Sequence, residues 1–179
     1  MKKIYLLVML CSLVALKSSA QTKGQPTRLS VGAEFGLPVG NASGYYSVGL
    51  GGSLKVDIPI APKFFFTGSA GYTSYLVKNS VKETLKSWGI TNNSSTPVVP
   101  LKVGGKYFIS PLFYGEAQVG AAIETDSGGS TSFAWSPGVG FLLPAGNGGV
   151  DLGIRYEGWS QHHSTFGQFG IRVAYSFNL

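Results

Sequence analysis

The closing stretch Gln168-Phe169-Gly170-Ile171-Arg172-Val173-Ala174-Tyr175-Ser176-Phe177-Asn178-Leu179 decides the fold. Phe169, Ile171, Val173, Tyr175, Phe177 and Leu179 alternate with Gln168, Gly170, Arg172, Ala174, Ser176 and Asn178. Successive strand residues point to opposite faces, so this segment has one apolar face and one face of polar or tiny residues. A strand set between lipid and a narrow polar lumen has that character, with aromatics collecting where it meets the interface.

Working back from the end, the same period recurs seven more times. Leu29, Val31, Ala33, Phe35 and Leu37 form the outward side of a first strand. Tyr46, Val48, Leu50, Leu54, Val56 and Ile58 form that of a second, and Phe64, Phe66, Ala70 and Tyr72 that of a third. Val99, Leu101, Val103 and Tyr107 mark the fourth, and Phe113, Ala117, Val119, Ala121 and Ile123 the fifth. Phe133, Trp135, Val139, Phe141 and Leu143 belong to the sixth, and Val150, Leu152, Ile154 and Tyr156 to the seventh. The expectation is an all-β protein, an eight-stranded antiparallel up-and-down transmembrane β-barrel. Short links at 60–62, 109–111 and 144–149 read as periplasmic turns. The links at 40–44, 76–97, 124–132 and 160–165 read as generally longer outer loops. With that topology Phe64, Tyr107, Phe113, Phe141 and Phe177 form a periplasmic aromatic girdle, and Tyr46, Tyr72, Phe133, Trp135 and Tyr156 an outer one. A secreted barrel with a ligand cavity would instead carry apolar residues inside. Pro137 falls mid-strand, where it removes a ladder donor, and predicts a bulge.

Lys2 and Lys3 precede an apolar run from Ile4 to Leu16, and Ser18-Ser19-Ala20 follows as a signal-peptidase site. Residues 1–20 therefore read as a cleaved signal peptide and 21–179 as one barrel domain. The run is shorter than the ~20 residues of a spanning helix. Cys11 is the only cysteine of the 179 residues and lies in the signal, which excludes disulfides, thiolate metal sites and a cysteine nucleophile from the mature chain. Without Lys2, Lys3 and Lys17, eleven bases stand against eight acids, a net charge of +3. No basic run interleaved with aromatics points to nucleic acid. Charged residues make up 12% of the chain and glycine occurs 26 times, a composition suited to strands that face lipid on one side.

The inward positions hold Glu34, Asp57, Glu116, Asp151 and Glu157 against Lys55, Lys102, Lys106, Arg155 and Arg172. An eight-stranded barrel is only as wide as the side chains that fill it, so these ten residues are expected to pair as a lumen charge network, because unpaired charge there is costly. The alternative, a catalytic or proton-conducting cluster of Glu116, Arg155 and Glu157, competes with a structural role for balanced charge. In the longest link, Ser80 and Glu83 are spaced as a capping box and Gly89 as a stop, which predicts a short helix with Val81, Leu85 and Trp88 on one face and Lys78, Lys82 and Lys86 around it. Those lysines face either water or lipopolysaccharide phosphates. Gly104-Gly105-Lys106 lacks the upstream glycine of a phosphate loop, position 100 being proline.

Taken together, the leader, the eight alternating segments, Leu152-Gly153-Ile154-Arg155-Tyr156-Glu157-Gly158 and Gly170-Ile171-Arg172-Val173-Ala174-Tyr175-Ser176-Phe177 resemble the small outer-membrane β-barrel family of Gram-negative bacteria, often labelled porin family and including barrels of OmpA and OmpX type. Gln168-x-Gly170-x-x-Val173-x-Tyr175 is similar to the signal read by the barrel-assembly machinery. The resemblance implies a bacterial outer-membrane location, contact with outer-membrane lipid and lipopolysaccharide, a monomer, no cofactor, no metal and no nucleic acid. Members of similar fold include anchors, adhesins and lipid-modifying enzymes, so fold alone does not choose a task. The reading favoured is a filled barrel with a structural or binding role through its outer loops, its extracellular ligand unassigned, and no enzymatic activity. Two others remain: a small-solute porin, and a hydrolase, since His162 and Ser164 of His162-His163-Ser164 resemble the active site of lipid A deacylases. No Asp or Glu follows Glu157 to supply the orienting acid.

Overall fold

The computed structural model of the chain describes residues 25–40, 42–87, 95–126, 128–161 and 164–179. Residues 1–20, expected to be a signal peptide, lie outside them, as do Trp88, Gly89, His162 and His163. In chain order the elements are β1 (Arg28–Val39), a single helical turn α1 (Ala42–Tyr45), β2 (Tyr46–Ala61), β3 (Phe64–Val77), α2 (Asn79–Ser87), β4 (Ser95–Phe108), β5 (Phe113–Glu124), β6 (Thr131–Ala145), β7 (Gly148–Gln161) and β8 (Ser164–Asn178). Each strand pairs antiparallel with the next, and β8 returns to β1, so the eight close into a barrel. The carboxy-terminal stretch is the closing staple. It pairs with β1 in unbroken register from Arg28↔Asn178 to Val39↔Gly167, which leaves no sheet edge.

Alternation places the apolar set on the outside. Val31, Phe35, Leu37, Val103, Val119 and Ile171 are all exposed, while Ser30, Lys55, Lys106, Asp151 and Arg172 on the opposite faces are buried. Strands of 12 to 16 residues exceed the ~9–11 that cross the hydrocarbon at a tilt, so their ends stand in the interfaces. Outward aromatics pair across strands there: Phe64 with Tyr107, Phe113 with Phe141, and Trp135 with Tyr156. Among the described residues no helix is long and apolar enough to cross a membrane.

Four expectations need correction. Tyr46 is not an outer-girdle residue. A register shift between Tyr46 and Val48 turns its ring inward, against Tyr75 and Phe166 at 5.9 and 6.1 Å. Pro137 carries no bulge. Its pairing with Ala117 of β5 is in step, and on the β7 side the ladder omits the pairs between Trp135↔Gly158 and Gly138↔Arg155 without changing register. A missing N–H disturbs one neighbouring strand only, and a local gap absorbs it. Pro100 behaves alike, paired to Ala122 on one side with a gap between Ala70↔Leu101 and Thr73↔Val98 on the other.

The outer links are shorter than expected. Strand pairing continues to Leu76↔Ser95 and to Gln161↔Ser164, so the last outer link is residues 162–163 alone, as short as the periplasmic turns 62–63 and 146–147. Lys63, at φ 65°, takes the left-handed conformation that the first of those turns requires. Finally, the interior is not free of apolar residues. Tyr75, Val98, Ala122, Ala134 and Trp159 form a buried cluster at the outer end, and Phe65, Phe108 and Tyr114 form one at the periplasmic end. Glycines make room for these rings: a Cβ on Gly49 would lie 2.6 Å from Tyr75 Cε1, and one on Gly140 would collide with the Tyr114 ring.

Candidate functional site

The ten inward charges form one connected set. Lys106 Nζ lies 2.6 Å from Asp57 Oδ2, 3.5 Å from Asp151 Oδ2 and 3.6 Å from Glu116 Oε2. Lys55 Nζ approaches Glu116 Oε2 at 3.0 Å and Asp151 Oδ2 at 3.3 Å. These two lysines and three carboxylates make a periplasmic-side tier, to which the Tyr114 hydroxyl adds a hydrogen bond donated to Asp151 Oδ1. Arg172 joins it to the tier above, with Nη1 3.4 Å from Asp151 Oδ2 and Nε 3.3 Å from Glu34 Oε1. In the outer tier Arg155 bridges Glu34 Oε2 and Glu157 Oε2, each at 2.7 Å, and Lys102 Nζ reaches Glu157 Oε2 at 2.6 Å.

Neutral side chains supply further bonds, while Asp57 Oδ1 and Arg172 Nη2 are buried without a hydrogen-bond partner among the described residues. Ser53 Oγ donates to Glu34 Oε1 at 2.5 Å, and Gln118 Nε2 donates to Thr67 Oγ1 at 3.1 Å. The network is continuous with the aromatic plug above it. Trp159 Nε1 donates to Glu157 Oε1 and the Tyr75 hydroxyl to Gln168 Oε1, both at 2.8 Å. Below, Lys106 Nζ sits 4.3 Å from the Tyr114 ring centroid, a cation–π contact. The cavities bordered by Lys55, Glu116 and Arg172 and by Glu34, Tyr75 and Glu157 measure about 20 and 10 Å³, the scale of a single water. Charge and rings therefore occupy the bore.

Arg28 is the base that sequence reasoning missed. Its guanidinium lies 5.0 Å from the Phe65 centroid and 5.5 Å from that of Phe108, at the periplasmic mouth. One more step of the Ser30, Gly32, Glu34 parity would have placed it inside. The inward aromatics had a fainter signal. Phe65 is flanked by two phenylalanines, so no polar neighbour marks its face. Trp159 stands just beyond Glu157 in inward parity, in a stretch assigned to the edge of a loop.

At the outer mouth, Tyr46, Tyr75, Trp159 and Phe166 border a cavity of about 140 Å³, together with Thr96 and Glu124. Trp159 and Phe166 stack at 4.6 Å. Beyond β3, α2 runs from Asn79 with Lys78 as its cap, since the Lys78 carbonyl accepts from Val81 N and Lys82 N. Ser80 is thus within the first turn rather than at the cap, and its carbonyl accepts from Thr84 Oγ1. Ser164 opens β8, opposite Gln161. Among the described residues no group of His, Cys, Asp and Glu is placed to hold a metal.

Residues 7–177 match the family described as the outer membrane protein beta-barrel domain. No curated protein sequence matches the chain. Among solved structures, the attachment invasion locus protein of Yersinia pestis, Ail, superposes with a TM-score of 0.55 at 18% identity, over 86% of this chain and 99% of that one. The same protein in complex with the heparin analogue sucrose octasulfate gives 0.52 at 16% identity, over 86% and 99%. Neisserial surface protein A gives 0.53 at 11% identity, over 86% and 97%. At these identities the likeness is one of fold.

Proposed function

The chain belongs to the outer membrane protein β-barrel domain family and is a barrel of the bacterial outer membrane, and from that premise we propose that it is a closed barrel that works through its outer surface, with a structural or binding role. The observation that carries this reading is the bore. Ten charged side chains in one connected set, capped at each end by an aromatic cluster, suit a filled core better than a transport path. Five carboxylates and five bases satisfy one another inside a space with no room for a hydration shell. What is left for partners is the outer rim: α2, the links around it and the cavity at the mouth.

On this reading residues 1–20 are a signal peptide removed in transit, Gln168-x-Gly170-x-x-Val173-x-Tyr175 is read by the barrel-assembly machinery, and the mature domain is a monomer in contact with lipid and lipopolysaccharide. The hydrolase alternative at His162 and Ser164 has less support. The last acid of the chain, Glu157, is held by Lys102, Arg155 and Trp159 inside the barrel, turned away from a rim nucleophile. The test is position-specific photo-cross-linking on intact cells. A reactive residue at Ser80 or Glu83, exposed on α2, should give a defined adduct that one at lipid-facing Phe66 does not. Identical products from both positions would remove the case for an outer working surface.

A further inference from the structure

We propose that the cavity at the outer mouth is a binding site for a small organic ammonium ion, of the size and charge of a choline headgroup. The inference rests on the reading of the outer surface as the working one, and specifies its ligand chemistry.

The floor of the cavity is aromatic by construction. Trp159 uses its only donor on Glu157, and Tyr75 donates its hydroxyl proton to Gln168. Both bonds point down into the barrel, so what these residues offer upward is ring carbon. Tyr46 and Phe166 complete the wall, crossing Tyr75 at 66° and 80°, and the Tyr46 hydroxyl is engaged with Thr96 Oγ1 at 3.3 Å. Rings set at steep angles around a hollow present the negative faces of their π systems, or the hydrocarbon edges beside them, to whatever sits among them.

The one carboxylate among the described residues that line the cavity is that of Glu124. Glu124 ends β5, its backbone N–H held by Ser130 O at 2.9 Å and its Oε2 by the Ser130 hydroxyl at 3.1 Å. Its carboxylate lines the cavity and brings a negative charge to it. Aromatic surface together with one carboxylate, and no Lys, Arg or His among the described residues lining the cavity, selects positive charge, and a weakly hydrated alkylammonium loses less on leaving water than a compact inorganic ion does. Size agrees. About 140 Å³ is close to the ~150 Å³ that accommodates a benzene-sized body, which is the bulk of a trimethylammonium group and one further methylene.

The test is calorimetric titration of the folded, full-length mature protein in maltoside micelles with choline chloride, and with 3,3-dimethyl-1-butanol, the uncharged carbon isostere. Choline should bind and the isostere should bind at least about tenfold more weakly, with Glu124→Gln lowering choline affinity by about tenfold, the effect of losing one charge-assisted contact. Phosphatidylcholine vesicles set against phosphatidylglycerol vesicles then separate a lipid headgroup from the free ion as source. Equal binding of choline and isostere would show an apolar slot and overturn the proposal, as would no binding of choline. The wild-type comparison stands even where Glu124→Gln fails to fold. A rim that still gives its α2 adduct on cells but ignores choline removes this inference alone, while loss of that adduct removes the broader reading.

Discussion

Replacing Lys106 by methionine isolates the energetics of the bore. The ammonium is 1% exposed and lies between three carboxylates, Asp57 at 2.6 Å, Asp151 at 3.5 Å and Glu116 at 3.6 Å. Asp151 and Glu116 keep Lys55 at 3.3 and 3.0 Å, and Asp151 also keeps Arg172 and Tyr114. Asp57 loses its ion-pair partner and retains the longer-range fields of Arg28, its register neighbour across β1 and β2, and of Lys55. Breaking a buried pair from one side costs ~3–5 kcal/mol because the remaining charge is stranded. With Arg28 near, the lower end, about 3 kcal/mol, is expected for Lys106→Met. Asp57→Asn alone should also destabilise. The double variant, carrying neither charge, should recover about 1–3 kcal/mol of the sum of the singles, the coupling typical of groups in one network. Urea unfolding of the folded protein in lipid vesicles, followed by tryptophan fluorescence, measures all four corners. Additive singles, or a Lys106→Met cost below about 1 kcal/mol, would refute the reasoning that these charges are mutually satisfying core.

Three further outcomes follow from other faces of the barrel. Val103→Arg and Val119→Arg, both exposed to lipid near mid-strand, should each cost about 2–4 kcal/mol in the same vesicles; a cost near zero would place that face in water. Gly140→Val drives a side chain into the Tyr114 ring and should cost about 1–3 kcal/mol as overpacking, read as a lower urea midpoint. Lipopolysaccharide incubated with the folded protein should release no acyl chain, and Ser164→Ala should leave that unchanged; a Ser164-dependent product in the mass spectrum would revive the hydrolase.

The spanning part of the fold was legible because lipid enforces it. Where a strand crosses hydrocarbon, an outward polar residue is expensive, so Leu101 to Tyr107 or Phe169 to Phe177 declare their faces residue by residue, and the inward charges follow by parity. Above and below the hydrocarbon that pressure lapses. There Tyr75, Trp159 and Phe166 turn inward in step with the buried Thr73, Glu157 and Gln168, a faint sign since an aromatic ring satisfies either side, and Tyr46 turns inward against its parity. The hidden register shift at Tyr46 needs the partner strand to be seen. The same lapse explains why 160–165 read as a loop: Ser160, Gln161, Ser164 and Thr165 are the polar ends of two strands, paired as Ser160↔Thr165 and Gln161↔Ser164. Pro137 misled for another reason, because a missing donor is felt on one side only and the sequence does not say which.

The most direct measurement of the closed bore is single-molecule conductance of the purified wild-type barrel in a planar bilayer. A lumen crossed by ion pairs from Lys106–Asp57 to Lys102–Glu157 and plugged by rings at both ends predicts silence, broken at most by brief flickers. The combined variant Lys102→Ala, Glu116→Ala and Arg155→Ala should be less stable and leaky. Steady, reproducible current through the wild-type monomer, on the scale of a larger porin, would contradict the account and make the lumen a channel.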